Sequence, residues 1–466
     1  MKSISRENPK ALLVSVRTPD VQDFEADESL NELERLVTTL GFQVIAKQFQ
    51  RRPSTSGATV VGEGKLKELA WFTGGPGLIE AANFAKKTKL SERLERESQE
   101  EAEQEVEDSA DLGLANEAGQ PALKEPEELA GVVVFDCDLT PSQLKNVEKA
   151  LGCEVLDRTG VIIEIFSRHA KTRAARLQVE IARLNYLAPR LRETGGASER
   201  QAGRGSGESE LELDRRRIRD RVTELKTELE AVQREQVNRR AQRSETQSVA
   251  LVGYTNAGKS STMRALTGSE VLVQDKLFAT LDTTVRALQP ETHPRILISD
   301  TVGFIKKLPH DLVASFRSTL DEALNASLLL YLVDASDPTF RSQLEVTHEV
   351  LDEVGVEDTA SLLVLNKADR LDDAEKKALL REYPEALLIS TRRPEDVKAL
   401  RERIVRHFER DMVEEEIFAR YDVKGIIGEV RSSMRVIKES FENEGVRLTV
   451  RSGATELARL KKRFNL

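Results

Sequence analysis

The sequence predicts a multidomain α/β fold: an N-terminal α/β domain carrying an antiparallel helical hairpin, a central P-loop domain with a doubly wound, mostly parallel sheet, and a small C-terminal α/β domain. Three observations carry the prediction. The chain has 466 residues, room for roughly two to four units. From Gln247 to His407 strand-like and helix-like stretches alternate regularly, as in a parallel sheet covered by helices. Between residues 173 and 243 two apolar stripes recur at helical spacing on either side of a glycine-rich break. The expected boundaries are 1–172 for the N-terminal domain with an insertion at about 74–128, 173–246 for the hairpin, 247–411 for the P-loop domain and 412–466 for the last domain.

In chain order, ALLVSV from Ala11 reads as a strand, the pattern Leu30, Leu33, Val37, Leu40 as a helix, and Phe42 to Ala46 after Gly41 as a second strand. The alternation resumes with GVVVFDCDLT (Gly131 to Thr140) as a strand, PSQLKNVEKALG as a helix and GVIIEIF (Gly160 to Phe166) as a strand. These pieces make one α/β domain split by the insertion from about Gly74 to Glu128. Between Ser91 and Glu128 acidic residues outnumber basic ones by about fourteen to three, with almost no aromatics. Such a stretch buries too little apolar surface to offset chain entropy, so a disordered or loosely helical acidic linker is expected.

Leu177, Ile181, Leu184, Leu187 and Leu191 form one stripe, and Ile218, Val222, Leu225, Leu229 and Val232 the other. GGASERQAGRGSG (Gly195 to Gly207) is too rich in glycine to continue either helix, so the stripes are expected to face each other. Arg190, Arg192, Arg200, Arg204, Arg215, Arg216, Arg217, Arg219 and Arg221 make the region locally positive. That is what contact with a phosphate backbone needs, and it is also what the solvated flanks of a helix pair show.

The central alternation runs through SVALVG, a helix after Lys259, RILISD, a helix around Ser315 to Asn325, SLLLYLVD, a helix near Leu344 to Leu351, SLLVLN and ALLIS. Beyond Met412 a helix through Ile426, Val430, Met434 and Ile437, a strand at Val446 and a basic last helix with Lys461, Lys462 and Arg463 are expected.

Composition narrows the class. The net charge of −10 excludes a uniformly basic nucleic-acid binder, and 32% charged residues fit long solvated helices beside an ordinary core. Cys137 and Cys153 lack metal-ligand spacing and read as core residues in a reducing compartment. No apolar run approaches the ~18 residues of a membrane span, and the start of the chain lacks a secretory signal. A soluble, cytoplasmic protein with no membrane span, monomeric when free, is expected.

Gly253-Tyr254-Thr255-Asn256-Ala257-Gly258-Lys259-Ser260 fits G-x-x-x-x-G-K-S, follows an apolar strand and opens a helix. Its glycines let backbone N–H groups wrap a phosphate, Lys259 reaches the β- and γ-phosphates, and the Ser260 hydroxyl ligates Mg²⁺. Asp300-Thr301-Val302-Gly303 ends the next strand, where an aspartate meets Mg²⁺ through water and a glycine N–H meets the γ-phosphate. Asn366-Lys367-Ala368-Asp369 ends SLLVLN, and a carboxylate at Asp369 accepts from N1–H and the 2-amino group of guanine, donors that adenine lacks. Lys367 would cover the base, Asn366 would brace the pocket, and Ser390-Thr391-Arg392 stands where a backbone amide meets the guanine O6. GTP and GDP are therefore the expected ligands. Between these motifs Phe278-Ala279-Thr280-Leu281-Asp282-Thr283-Thr284 reads as a switch in which Thr280, Thr283 or Thr284 completes the Mg²⁺ shell.

GYTNAGKSS, LFATLDTT, DTVGFI and NKAD resemble the HflX group of translation-associated GTPases, and the likeness covers most of the chain. VVGEGKLKEL (Val60 to Leu69), VVVFDCDLTPSQLKNVEKALG, DRTGVIIEIFSRHAKTRAARLQVEIARLNYL and GSGESELELDRRRI are similar to that family's N-terminal domain and glycine-rich linker. The resemblance implies that Thr280 is the Mg²⁺-binding threonine and that Phe278 to Asp282 line the nucleotide. It further implies binding to the large ribosomal subunit and its RNA through the N-terminal domain and hairpin, in ribosome splitting under stress or in ribosome assembly. Two departures are the acidic insertion and the altered glycine run of the hairpin tip.

Lys259, Thr280 and Gly303 are the expected catalytic groups. Phe304 stands just after D-x-x-G, where many GTPases carry a water-orienting glutamine, so hydrolysis is expected to be slow alone and stimulated by the ribosome. Asn256 is a candidate ligand for a K⁺ near the phosphates. The rival expectation is a P-loop ATPase or nucleotide-gated scaffold whose hairpin binds a protein, and the guanine pattern at Asp369 argues against the ATPase.

Overall fold

The structure, a computed structural model, describes residues 9–78, 129–191, 210–241, 247–268, 278, 284–306, 322–356, 359–410 and 412–464. Nearly all of the expected insertion, the hairpin tip and most of the helix expected around Ser315 to Asn325 lie outside those residues. The chain divides into two units, Met1–Arg158 and Thr159–Leu466.

The first unit runs β1 (Lys10–Arg17), α1 (Asp23–Thr39), β2 (Gln43–Arg51), α2 (Glu63–Thr73), β3 (Val132–Phe135), α3 (Pro141–Leu151) and β4 (Glu154–Asp157). Its sheet is parallel in the order β2-β1-β3-β4. Interior parallel strands are covered on both faces, and Ala11 to Val14 and Val132 to Phe135 are accordingly buried without alternation. The start of α3 is written in the sequence. Thr140 caps the helix by accepting from Gln143 N–H, Gln143 returns the bond to Thr140 N–H, and Pro141 occupies the first helical position.

GVIIEIF is not a strand. It lies within α4 (Arg158–His169), and the strand of this region is the preceding β4. Val161, Ile162, Ile163, Ile165 and Phe166 are all buried. A helix buried on nearly every side shows the same unbroken apolar run as a covered strand, so periodicity has nothing to distinguish.

The second unit continues with α5 (Arg173–Leu191) and α6 (Glu210–Ala241), the two arms of the hairpin. Leu177, Ile181 and Leu225 are buried between them, with Leu184, Val222, Leu229 and Val232 packed alongside. Arg173 pairs with Glu228 (2.6 Å) and Arg221 with Glu180 (3.2 Å) across the arms. Residue numbers rise on one helix as they fall on the other, which is the antiparallel register.

The six-stranded sheet of the second unit has the order β10-β9-β8-β5-β7-β6, with β5 (Gln247–Gly253), β6 (Thr284–Ala287), β7 (Ile296–Asp300), β8 (Leu328–Asp334), β9 (Ser361–Asn366) and β10 (Leu387–Leu388). All pairs are parallel except edge strand β6 against β7. Helices α7 (Lys259–Thr267), α8 (Phe340–Val354), α9 (Asp373–Glu382) and α10 (Pro394–Glu409) complete this layer. From β5 the chain turns to β7 on one side and β8 on the other, so the carboxyl end of β5 is the switch point where doubly wound sheets bind ligands.

The last segment forms an antiparallel sheet β11-β13-β12, made of β11 (Met412–Arg420), β12 (Arg435–Phe441) and β13 (Gly445–Gly453), with α11 (Ile426–Ser433) and α12 (Ala454–Phe464). Its core includes Ile417, Ile426, Val430, Met434, Leu448, Val450 and Leu457. Ile437, expected on the helix, stands on β12 beyond a chain that has left the helix at Met434. Among the described residues no helix is long and apolar enough to cross a membrane.

Candidate nucleotide-binding site

The loop from Gly253 to Ser260 leaves β5 at the switch point and enters α7. Its glycines are fixed by backbone and by space. Gly253 has φ +146° and a Cβ there would stand 2.1 Å from Leu332 O; Gly258 has φ +97° and a Cβ would stand 2.1 Å from Asn366 Nδ2. Asn256 also has positive φ, 61°, which its short polar side chain tolerates. The loop thereby leads into the first turn of α7, whose N-terminal N–H groups suit a polyanion.

Lys259 is buried, and its ammonium donates to Gly253 O (2.9 Å) and Tyr254 O (2.7 Å). Burial pulls its pKa down to about 8, opposed by the negative charge of Asp300. Ser260 Oγ donates to Asp300 Oδ2 at 2.8 Å, bringing one hydroxyl and one carboxylate together at the loop. Asp300 ends β7, and the next residue is fastened by the Thr301 Oγ1 bond to Leu251 O (2.6 Å). Val302 and Gly303 follow, and a Cβ on Gly303 would stand 3.0 Å from Lys259 Nζ. Phe304, next in the chain, is buried.

A second cluster is built at the ends of β8, β9 and β10. Asn366 Nδ2 donates to Ala257 O (2.9 Å), tying NKAD to the phosphate loop. Lys367 adopts φ +62°, and its ammonium meets Asp334 Oδ2 at 2.6 Å. Ala368 N–H donates to Ile389 O (3.0 Å). Asp369 accepts from Ser390 Oγ (2.7 Å), with Arg392 Nη1 at 3.5 Å from its other oxygen. The Ser390 hydroxyl, with help from Arg392, holds the Asp369 carboxyl below its ordinary pKa. Ser390 N–H is held by Asp396 Oδ2 at 2.8 Å, and Thr391, half-buried, follows in the chain.

Thus Gly253 to Ser260, Asp300 to Gly303, Asn366 to Asp369 and Ser390 to Arg392 converge on one end of one sheet. Asp334 and Asp396 belong to the same assembly, although sequence reasoning passes over them. The first ends a strand and the second lies in the opening turn of a helix, and only the fold shows that they brace Lys367 and Ser390. Phe278 is buried at φ +57°, its ring edge-on to Phe166 of α4 with centroids 4.6 Å apart. Ala279, Thr280, Leu281, Asp282 and Thr283 lie outside the described residues, while Thr284 opens β6. The arrangement combines a glycine-bearing loop at a helix start, a buried cation and a carboxylate at the ends of neighbouring strands.

Known families and relatives match the chain along most of its length. Residues 248–367 match the family described as 50S ribosome-binding GTPase. Residues 169–243 match the GTP-binding GTPase middle region, and residues 27–115 and 112–167 the GTP-binding GTPase N-terminal family. A protein of Gluconacetobacter diazotrophicus named GTPase HflX is 55% identical over 454 residues, 97% of each chain. One of the same name from Spirochaeta thermophila is 45% identical over 324 residues, 68% of this chain and 78% of that one. Among solved structures, a GTP-binding protein of the archaeon Sulfolobus solfataricus in complex with GDP matches at 22% identity and a TM-score of 0.42, covering 85% of this chain and 98% of that one.

Proposed function

Because the chain belongs to the HflX family of GTPases and so binds and hydrolyses GTP, we propose that it works on the large ribosomal subunit, splitting or rescuing ribosomes under stress or serving their biogenesis. The observation that carries this reading is the match of its nucleotide domain to a family described as binding the 50S subunit. The hairpin supports it: Arg216, Arg217 and Arg219 are exposed on α6, where guanidinium groups can reach phosphate oxygens. The working compartment is the cytoplasm, and the free protein is a monomer.

In this reading Gly253 to Ser260 cradle the phosphates, Lys259 and Gly303 meet the γ-phosphate, and Asn366 to Asp369 with Ser390 to Arg392 select guanine. Phe278 to Asp282 line the nucleotide. A hydroxyl and a carboxylate are the hard oxygen donors that suit Mg²⁺, so Ser260 and, by family likeness, Thr280 would hold the ion while Asp300 meets its water shell. Bound there, Mg²⁺ neutralises charge developing on the β- and γ-phosphate oxygens. Asn256 would help hold a K⁺, and exchanging K⁺ for Na⁺ without a change in rate would rule that out. With Phe304 buried where a water-orienting side chain is needed, turnover is slow until the ribosome orders the water.

The deciding experiment is cosedimentation with separated ribosomal subunits in GDP, in a non-hydrolysable GTP analogue and in ATP. Pelleting with the large subunit that depends on the GTP analogue is the expected result. If neither subunit carried the protein down under any nucleotide, the ribosomal role would be wrong.

A further inference from the structure

The phosphate loop and the segment after Asp300 are joined by contacts that phosphate binding alone does not require. Thr255 N–H donates to Phe304 O (2.8 Å) and Phe304 N–H donates to Gly253 O (3.2 Å), a parallel bridge centred on Tyr254. Two residues later Lys306 N–H donates to the Tyr254 hydroxyl at 2.6 Å. Tyr254, Phe304 and Ile305 are all buried.

Gly303 is therefore fastened on both sides. Before it, Thr301 Oγ1 is bonded to Leu251 O; after it come the bridge and the phenol. Its backbone lies against the loop so closely that a Cβ would stand 2.9 Å from Thr255 Cγ2. A peptide that has to present its N–H to a ligand loses less freedom on binding when it is already held in place. The bridge fixes Phe304, and the phenol takes hold of the segment two residues further on, at Lys306.

We propose that Tyr254 is a positioning residue for γ-phosphate recognition: by accepting the Lys306 N–H, its hydroxyl keeps Gly303 docked on the phosphate loop and favours nucleoside triphosphate over diphosphate. The proposal rests on the reading that Gly303 N–H meets the γ-phosphate. Tyr254→Phe keeps the buried ring and removes one acceptor.

The test is equilibrium binding of GDP and of a non-hydrolysable GTP analogue to the full chain. Losing one hydrogen bond weakens the triphosphate analogue by roughly fivefold to tenfold more than it weakens GDP. A merely structural role lowers both affinities together, and that result, or an unchanged triphosphate affinity, overturns the proposal. Gly303→Ala separates the two ideas. If it abolishes the preference for triphosphate while Tyr254→Phe preserves it, the γ-phosphate reading stands and the role of Tyr254 falls. If neither variant alters the preference, both fall.

Discussion

Lys259, proposed to meet the phosphates, shows how burial tunes a single side chain. Buried, with its ammonium donating to two carbonyl oxygens, it gives up its proton at about pH 8 instead of the ordinary 10.5. Its pKa is depressed by folding, so between those two values the folded chain binds fewer protons than the unfolded one, and this group's effect on stability improves as pH rises. A polyphosphate reverses the preference by favouring the ammonium. GDP affinity should fall as pH climbs above 8, with proton uptake on binding at about pH 9 seen by calorimetry in buffers of different ionisation enthalpy. Binding without proton uptake would remove Lys259 from the phosphates. If Asp369 reads guanine as proposed, Asp369→Asn replaces its acceptor by an amide. GTP binding should weaken by roughly a hundredfold or more, while xanthosine triphosphate, whose 2-oxo group accepts from that amide, should gain; competition binding measures both. Asp369 and Lys259 are legible in the sequence because their motifs have fixed spacing. Asp334 and Asp396 are not, because their value lies in neighbours brought from other parts of the chain.

Elements are legible where one face alone is buried. The hairpin arms α5 and α6 pack along a single stripe, so their period of three to four shows through, and spacing alone marks Leu225 as a core position. It is 1% exposed, and Leu225→Ala should cost roughly 2–4 kcal/mol of hairpin stability. Faster amide exchange in α5 and α6 with unchanged GDP affinity is the expected signature; slow exchange throughout would mean that the arms are held by something other than this seam. The two exposed pairs across the arms, Arg173 with Glu228 and Arg221 with Glu180, set register and add little strength. Legibility fails at α4, where burial on nearly every side erases the helical period, and at Ile437, where an apolar residue of β12 happens to continue the spacing of α11. Edge strand β6 is four residues long and carries too few alternations to be read.

At the scale of the molecule the hairpin is a locally positive segment of an acidic chain. If the hairpin meets ribosomal RNA, replacing Arg216, Arg217 and Arg219 by serine should weaken binding to the large subunit evenly and lower the slope of log affinity against log salt by roughly two to three. A slope that stays the same would move RNA contact elsewhere. The division of the chain at Arg158 is not legible from composition, since the shift in charge that marks the hairpin comes later, near residue 173. The hairpin's size has a mechanical consequence. With 32 residues α6 is a rod about 48 Å long, and Phe166, which meets Phe278, lies in α4, joined to the hairpin by the few residues between His169 and Arg173. A stiff arm of that length has leverage: a push of a few ångströms at its tip turns its root by only a few degrees, with correspondingly larger force and smaller travel. The aromatic contact lies three residues before the end of the helix that leads into the hairpin, and Phe278 precedes Thr280 in the chain with only Ala279 between them.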